Sequence, residues 1–149
     1  MLSLQEISDR LEIQQVLADY SYAIDKHDWD ALDDVFTEDA HIDYSEMGGS
    51  AGNLEQTKAF LVSALPQFAG YYHMVATSKI DIQGDTATGW TICHNPMIMN
   101  DDVAMLCGLW YRDEFVRTAK GWRIKARYEE KSFMVPLPPP SALGNLGGG

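Results

Sequence analysis

Trp122-Arg123-Ile124-Lys125-Ala126-Arg127-Tyr128-Glu129 alternates apolar and charged residues along its whole length. A period of two marks a strand with one buried and one wet face, which assigns Trp122, Ile124, Ala126 and Tyr128 to the interior. Working back from it, strand-like stretches run at about 71–83, 86–99 and 103–117, and the quoted strand itself extends over 122–135. Gly84-Asp85, Asn100-Asp101-Asp102 and Ala119-Lys120-Gly121 separate them, each a tight-turn composition. A four-stranded antiparallel meander follows, and strands this long twist and curl.

The N-terminal half has a different texture. Ser3-Leu4-Gln5-Glu6 has the spacing of a capping box. Leu4, Ile7 and Leu11, then Ile13, Val16, Leu17, Tyr20 and Ile24, recur at helical intervals, so a first helix spans about 3–26. Asp28 is placed to cap a short second helix carrying Trp29, Leu32, Val35 and Phe36. His41-Ile42-Asp43-Tyr44 reads as a strand with Ile42 and Tyr44 facing in. Gly48-Gly49 marks a loop, and Asn53 caps a third helix that ends before Pro66. The expected fold is α+β: a cone-shaped, curved antiparallel sheet with a mixed edge, wrapped around three N-terminal helices and enclosing one pocket. One domain covers 1–135, and the Pro- and Gly-rich stretch 136–149 is a flexible tail.

Composition narrows the function. The 149 residues suffice for one core, and the formal net charge of −11 with no basic cluster argues against nucleic acid. No apolar run is long enough to span a membrane, and no signal peptide is evident, so the expected location is cytoplasmic. Cys93 and Cys107 lack zinc spacing and read as buried thiols, so no metal is expected. No Gly-rich nucleotide loop and no G-x-S-x-G elbow occurs, and no cofactor is expected.

Two residues stand out chemically. Asp25 falls in the last turn of the first helix, where the helix dipole disfavours an acid, in continuity with the apolar stripe through Tyr20 and Ile24. It either shapes the turn or answers to a proton donor nearby. His73, among Tyr71, Tyr72, Met74 and Val75, is either an ordinary interior histidine or that donor. Paired, the carboxylate would fix the ring tautomer and leave the other nitrogen as general base or acid. Tyr20, Tyr44, Phe68, Met97, Tyr111 and Tyr128 are the aromatic and Met residues expected to line the pocket, with His94 as a further candidate. His41 is expected to be solvated.

From about Ser3 to Val135 the chain resembles the SnoaL-like branch of the nuclear-transport-factor-two-like (cystatin-like) superfamily. Ile24-Asp25-Lys26-His27-Asp28-Trp29-Asp30, His41-Ile42-Asp43-Tyr44 and Tyr72-His73 are similar to the corresponding stretches of scytalone dehydratases and hexachlorocyclohexane dehydrochlorinases. That resemblance implies an elimination in which Asp25 orients His73, His73 removes a proton, and Tyr44 holds a hydroxyl or water on the leaving group. Ile24 stands where the dehydratases have a second tyrosine, Met97 where they have a second histidine, and Tyr111 near their pocket asparagine. These departures argue for a different substrate.

The expected function is a cofactor-independent lyase or isomerase acting on a small, hydrophobic, cyclic molecule. Its rivals are a non-catalytic subunit like the small subunit of ring-hydroxylating dioxygenases, and a ketosteroid-isomerase-like enzyme with a carboxylate base. Apolar residues such as Leu106 and Trp110 on the outer sheet face point to a homo-oligomer, dimer or trimer.

Overall fold

Ser3 Oγ accepts from the Glu6 N–H (3.1 Å) and opens helix α1, Leu4–Lys26. The helix stops at His27, which adopts a left-handed φ of 57°, so that the His27 and Asp28 amides fold back onto the carbonyls of Ile24 and Ala23. These coordinates come from a computed structural model that describes residues 1–100 and 103–137. Two residues of the expected 100–102 turn and the expected tail beyond Leu137 lie outside the described residues.

The second expected helix is corrected to a single 3₁₀ stretch, Asp30–Asp34. Asp28 Oδ1 does accept from the Ala31 amide (3.2 Å), but acids accumulate toward the C-terminal end, where the dipole opposes them. Asp33 and Asp34 turn instead to Lys58 (2.6 Å) and Arg123 (3.1 Å). Helix α2, Leu54–Ala64, begins with a complete capping box between Asn53 and Gln56 and yields at Pro66 to a 3₁₀ turn. The described residues therefore hold two α-helices rather than three.

The seven strands are β1 (Phe36–Asp43), β2 (Ala51–Gly52), β3 (Phe68–Tyr71), β4 (Met74–Gln83), β5 (Thr86–Met99), β6 (Ala104–Thr118) and β7 (Gly121–Leu137). Their order is β2-β1-β7-β6-β5, with β3 and β4 both on the far edge of β5. Only β1 and β7 run parallel. β7 continues two residues past the expected boundary at 135. The expected strand 71–83 is split in two. The His73 amide leaves the ladder for Asp25, and Pro96, which has no N–H, stands in β5 opposite the gap.

One irregularity decides which side chains face the core. Glu114 pairs with Ala126 but Phe115 pairs with Ile124, so Lys125 is an extra residue in β7. Such a bulge shifts the pleat by one and turns the side chains that follow it, as far as a second bulge at Ser132, to the other face. Trp122 and Ile124 are buried as the alternation requires, and after the bulge Arg127 points inward and is fully buried. Arg127 donates to both carboxylate oxygens of Asp113 (2.7 and 2.8 Å), and its guanidinium lies 4.0 Å from the ring centres of both Tyr20 and Tyr111. α1 lays Ile13, Leu17, Tyr20 and Ile24 against this interior.

Candidate functional site

Two features bring Asp25 and His73 together: the abrupt end of α1 and the break between β3 and β4. Asp25 Oδ1 accepts from His73 Nδ1 at 2.7 Å, and Oδ2 accepts from the His73 amide at 3.0 Å. A carboxylate has only lone pairs to offer, so the Nδ1 position carries the hydrogen and Nε2 is left as the basic nitrogen. Both side chains are mostly buried, with 14% exposure at His73 and 19% at Asp25. Each oxygen of Asp25 is therefore committed to one residue.

His73 lines a cavity of about 300 Å³ bordered by α1, α2, the sheet and the 44–49 loop and open on one side. Phe60, Leu61, Leu65, Phe68, Met97 and Leu109 make it largely apolar. Tyr20 and Tyr44 share a hydrogen bond of 2.6 Å at its wall. Burial pushes the Tyr20 hydroxyl up to about 12 and Tyr44 well above the ordinary phenol range, so both remain neutral hydroxyls. Gly49 closes over Tyr44 so tightly that a Cβ would overlap the tyrosine's own Cβ, and it too lines the cavity. A second hollow between α1 and β4, lined by Gln14, Tyr22 and Thr77, also reaches His73. The phenol pair and a carboxyl converge only on the first.

Of the residues expected here, His73, Tyr44, Tyr20, Phe68 and Met97 border this one cavity, with Asp25 behind His73. Three expectations are corrected. His94 lies on the outer side of β5, because the inward positions are Thr91, Cys93, Asn95 and Met97. Tyr128 faces outward after the bulge at Lys125, beside Arg112 and His41. Tyr111 is fully buried but packs behind Tyr20 and Arg127 rather than bordering the cavity.

Asn95 and Glu129 were not anticipated, and both border the cavity. The alternation Ala87, Gly89, Thr91, Cys93, Asn95, Met97 carried the signal for Asn95. Nothing local betrays Glu129, since its inward aim depends on a bulge. Burial pushes its carboxyl up to about 8, opposed by Arg127 and reinforced by Asp43. No group of three or more potential metal ligands occurs among the described residues. No described helix is long and apolar enough to cross a membrane.

A curved sheet closed by helices over an apolar hollow is the nuclear-transport-factor-two-like architecture. The chain belongs to the SnoaL-like domain family, which matches residues 5–128. It is 51% identical to an uncharacterized protein of Mycobacterium tuberculosis over 135 residues, covering 89% of this chain and 92% of that one. Among solved structures it is similar to hexachlorocyclohexane dehydrochlorinase LinA-type3 from Novosphingobium barchaimii LL02 (TM-score 0.81, 17% identity, 90% of this chain and 93% of that one). It is also similar to a candidate scytalone dehydratase from Novosphingobium aromaticivorans DSM 12444 (TM-score 0.78, 19% identity, 89% of each chain). At these identities the two structures speak for the fold.

Proposed function

We propose that the protein is a cofactor-independent lyase or isomerase in which His73 takes a carbon-bound proton from a small hydrophobic cyclic substrate held in the cavity. The observation that carries this reading is the 2.7 Å bond between Asp25 and His73 at the edge of an apolar hollow. Asp25 is the positioning residue. It holds the tautomer with Nε2 free and stabilises the imidazolium that forms on proton transfer. Tyr44, backed by Tyr20, supplies a neutral hydroxyl to a developing oxyanion or a departing group. Dehydrochlorinase and dehydratase names among the structural relatives agree with an elimination.

A carboxylate base is less well supported. Both oxygens of Asp25 are engaged by His73, and Glu129 is protonated over most of the neutral range. A purely structural subunit would have no use for an oriented dyad beside an apolar cavity.

The test is turnover in D₂O on neutral alicyclic ketones, alcohols and halides. The wild type should exchange deuterium into the carbon beside the carbonyl of a ketone, or release alkene together with halide or water from a halide or alcohol, and His73→Ala should do neither. Undiminished exchange in His73→Ala would remove the histidine from the reaction.

Self-association is part of the same proposal. The outer sheet face exposes Trp90, Ile98, Phe133 and Val135, with Trp110 beside Trp90. Sedimentation should show a dimer or trimer, and a monomer at micromolar concentration would contradict this.

A further inference from the structure

Among the described residues Glu129 supplies the only carboxyl bordering the cavity, and the Asp25–His73 pair makes no use of it. It faces Tyr111 of β6 in register, an inward position, and its side chain forms no hydrogen bond to the described residues. Asn95 borders the same cavity, is 4% exposed, and has an Oδ1 without a partner. No Lys or Arg among the described residues borders the cavity. Arg127, two residues before Glu129, gives Nε and Nη2 to Asp113, and Lys131, two residues after it, does not border the cavity. Buried polar groups are almost always satisfied, so the unpartnered Oδ1 of Asn95 marks a point where a ligand completes this wall, and Glu129, half-buried beside the same cavity, offers a carboxyl that no described residue engages.

We propose that Glu129 anchors the ligand of this cavity, its carboxyl donating a hydrogen bond to an acceptor oxygen on an otherwise apolar, neutral molecule. Asn95 offers a second polar contact elsewhere on the wall. Carboxylate ligands are disfavoured, because no Lys or Arg among the described residues borders the cavity to receive them and Glu129 adds an acid. The inference rests on the proposed function only in taking this cavity as the ligand site.

Protonation supports the assignment. Arg127 on the same strand favours ionisation of Glu129, Asp43 on β1 opposes it, and burial outweighs both, leaving the carboxyl a donor below about pH 8. Tyr20 on α1, Tyr44, Tyr111 and Cys107 on β6, and Cys93 on β5 all feel its charge, and burial raises each of them. None of these five ionises before Glu129 does. His73 also borders the cavity and needs its own control.

Binding of 2-indanone, indane and indane-2-carboxylate, measured by calorimetry at pH 6 and pH 9.5, tests the proposal. The ketone can only accept, so wild type should bind it about tenfold more tightly at pH 6 than at pH 9.5, and in preference to the other two at pH 6. Glu129→Gln, whose amide still donates, should bind it at pH 6 within about threefold of wild type and lose the pH dependence. His73→Ala should keep that dependence. Equal affinity for ketone and hydrocarbon, whether both bind or neither does, overturns the proposal. So does pH dependence that survives Glu129→Gln or vanishes in His73→Ala.

A second readout needs no ligand. Between about pH 4.3 and pH 8 the unfolded carboxyl is ionised while the folded one keeps its proton, so the contribution of Glu129 to stability falls as pH rises. The urea midpoint should fall less across this window in Glu129→Gln, and identical slopes would refute the assignment. Loss of turnover in His73→Ala without these effects, or the reverse, separates this proposal from the Asp25–His73 mechanism.

Discussion

Replacing Arg127 with methionine is expected to destabilise the protein by about 3–5 kcal/mol, the usual consequence of leaving one member of a buried ion pair uncompensated. The side chains of Arg127 and Asp113 are both wholly inaccessible. Removing the guanidinium strands the Asp113 carboxylate and takes away the plate between Tyr20 and Tyr111. The bidentate bond also ties β6 to β7 just beyond the bulge at Lys125, where the ladder is interrupted. Urea denaturation measures the loss. Arg127→Met combined with Asp113→Leu should be more stable than Arg127→Met alone, because an apolar pair leaves no charge behind. A single variant within about 1 kcal/mol of wild type would show that water or another group compensates Asp113.

The second large effect falls on rate. His73→Ala should lower kcat by about 10²–10⁴, the usual contribution of a positioned general base. Asp25→Asn should also lower it while leaving the fold intact. An asparagine amide can present its N–H to Nδ1 and so favour the opposite tautomer, with the hydrogen on Nε2. Substrate affinity should change little in Asp25→Asn, since Asp25 lies behind His73 and does not border the cavity. A variant that loses affinity but keeps kcat would place Asp25 in binding.

Most of the architecture was legible because it rests on local signals. The cap at Asn53, the stop at Pro66, the hairpins at 84–85 and 119–121 and the alternation in early β7 all speak within a few residues. The contact between Asp25 and His73 was legible for a similar reason, since an acid at a helix end and a histidine among strand residues each look out of place. What local pattern could not supply was the pleat after Lys125. The alternation from Trp122 to Glu129 continues unbroken in the sequence, yet the bulge places Arg127 and Glu129 inside and Tyr128 outside. A bulge is settled by pairing with β6 and by the Asp113–Arg127 bond, both of them remote in sequence. His94 was misplaced because Thr91-Ile92-Cys93-His94-Asn95 gives two plausible phases, and only the register with β4 and β6 selects one.

The most direct measurement is the ¹⁵N and ¹H NMR spectrum of the His73 ring, assigned by comparison with His73→Ala. Asp25 as the orienting carboxylate predicts a hydrogen on Nδ1, shifted far downfield and slow to exchange, with Nε2 unprotonated in the free protein and the Nδ1 signal lost in Asp25→Asn. A ring protonated on Nε2 alone, or one whose spectrum is indifferent to Asp25→Asn, would contradict it.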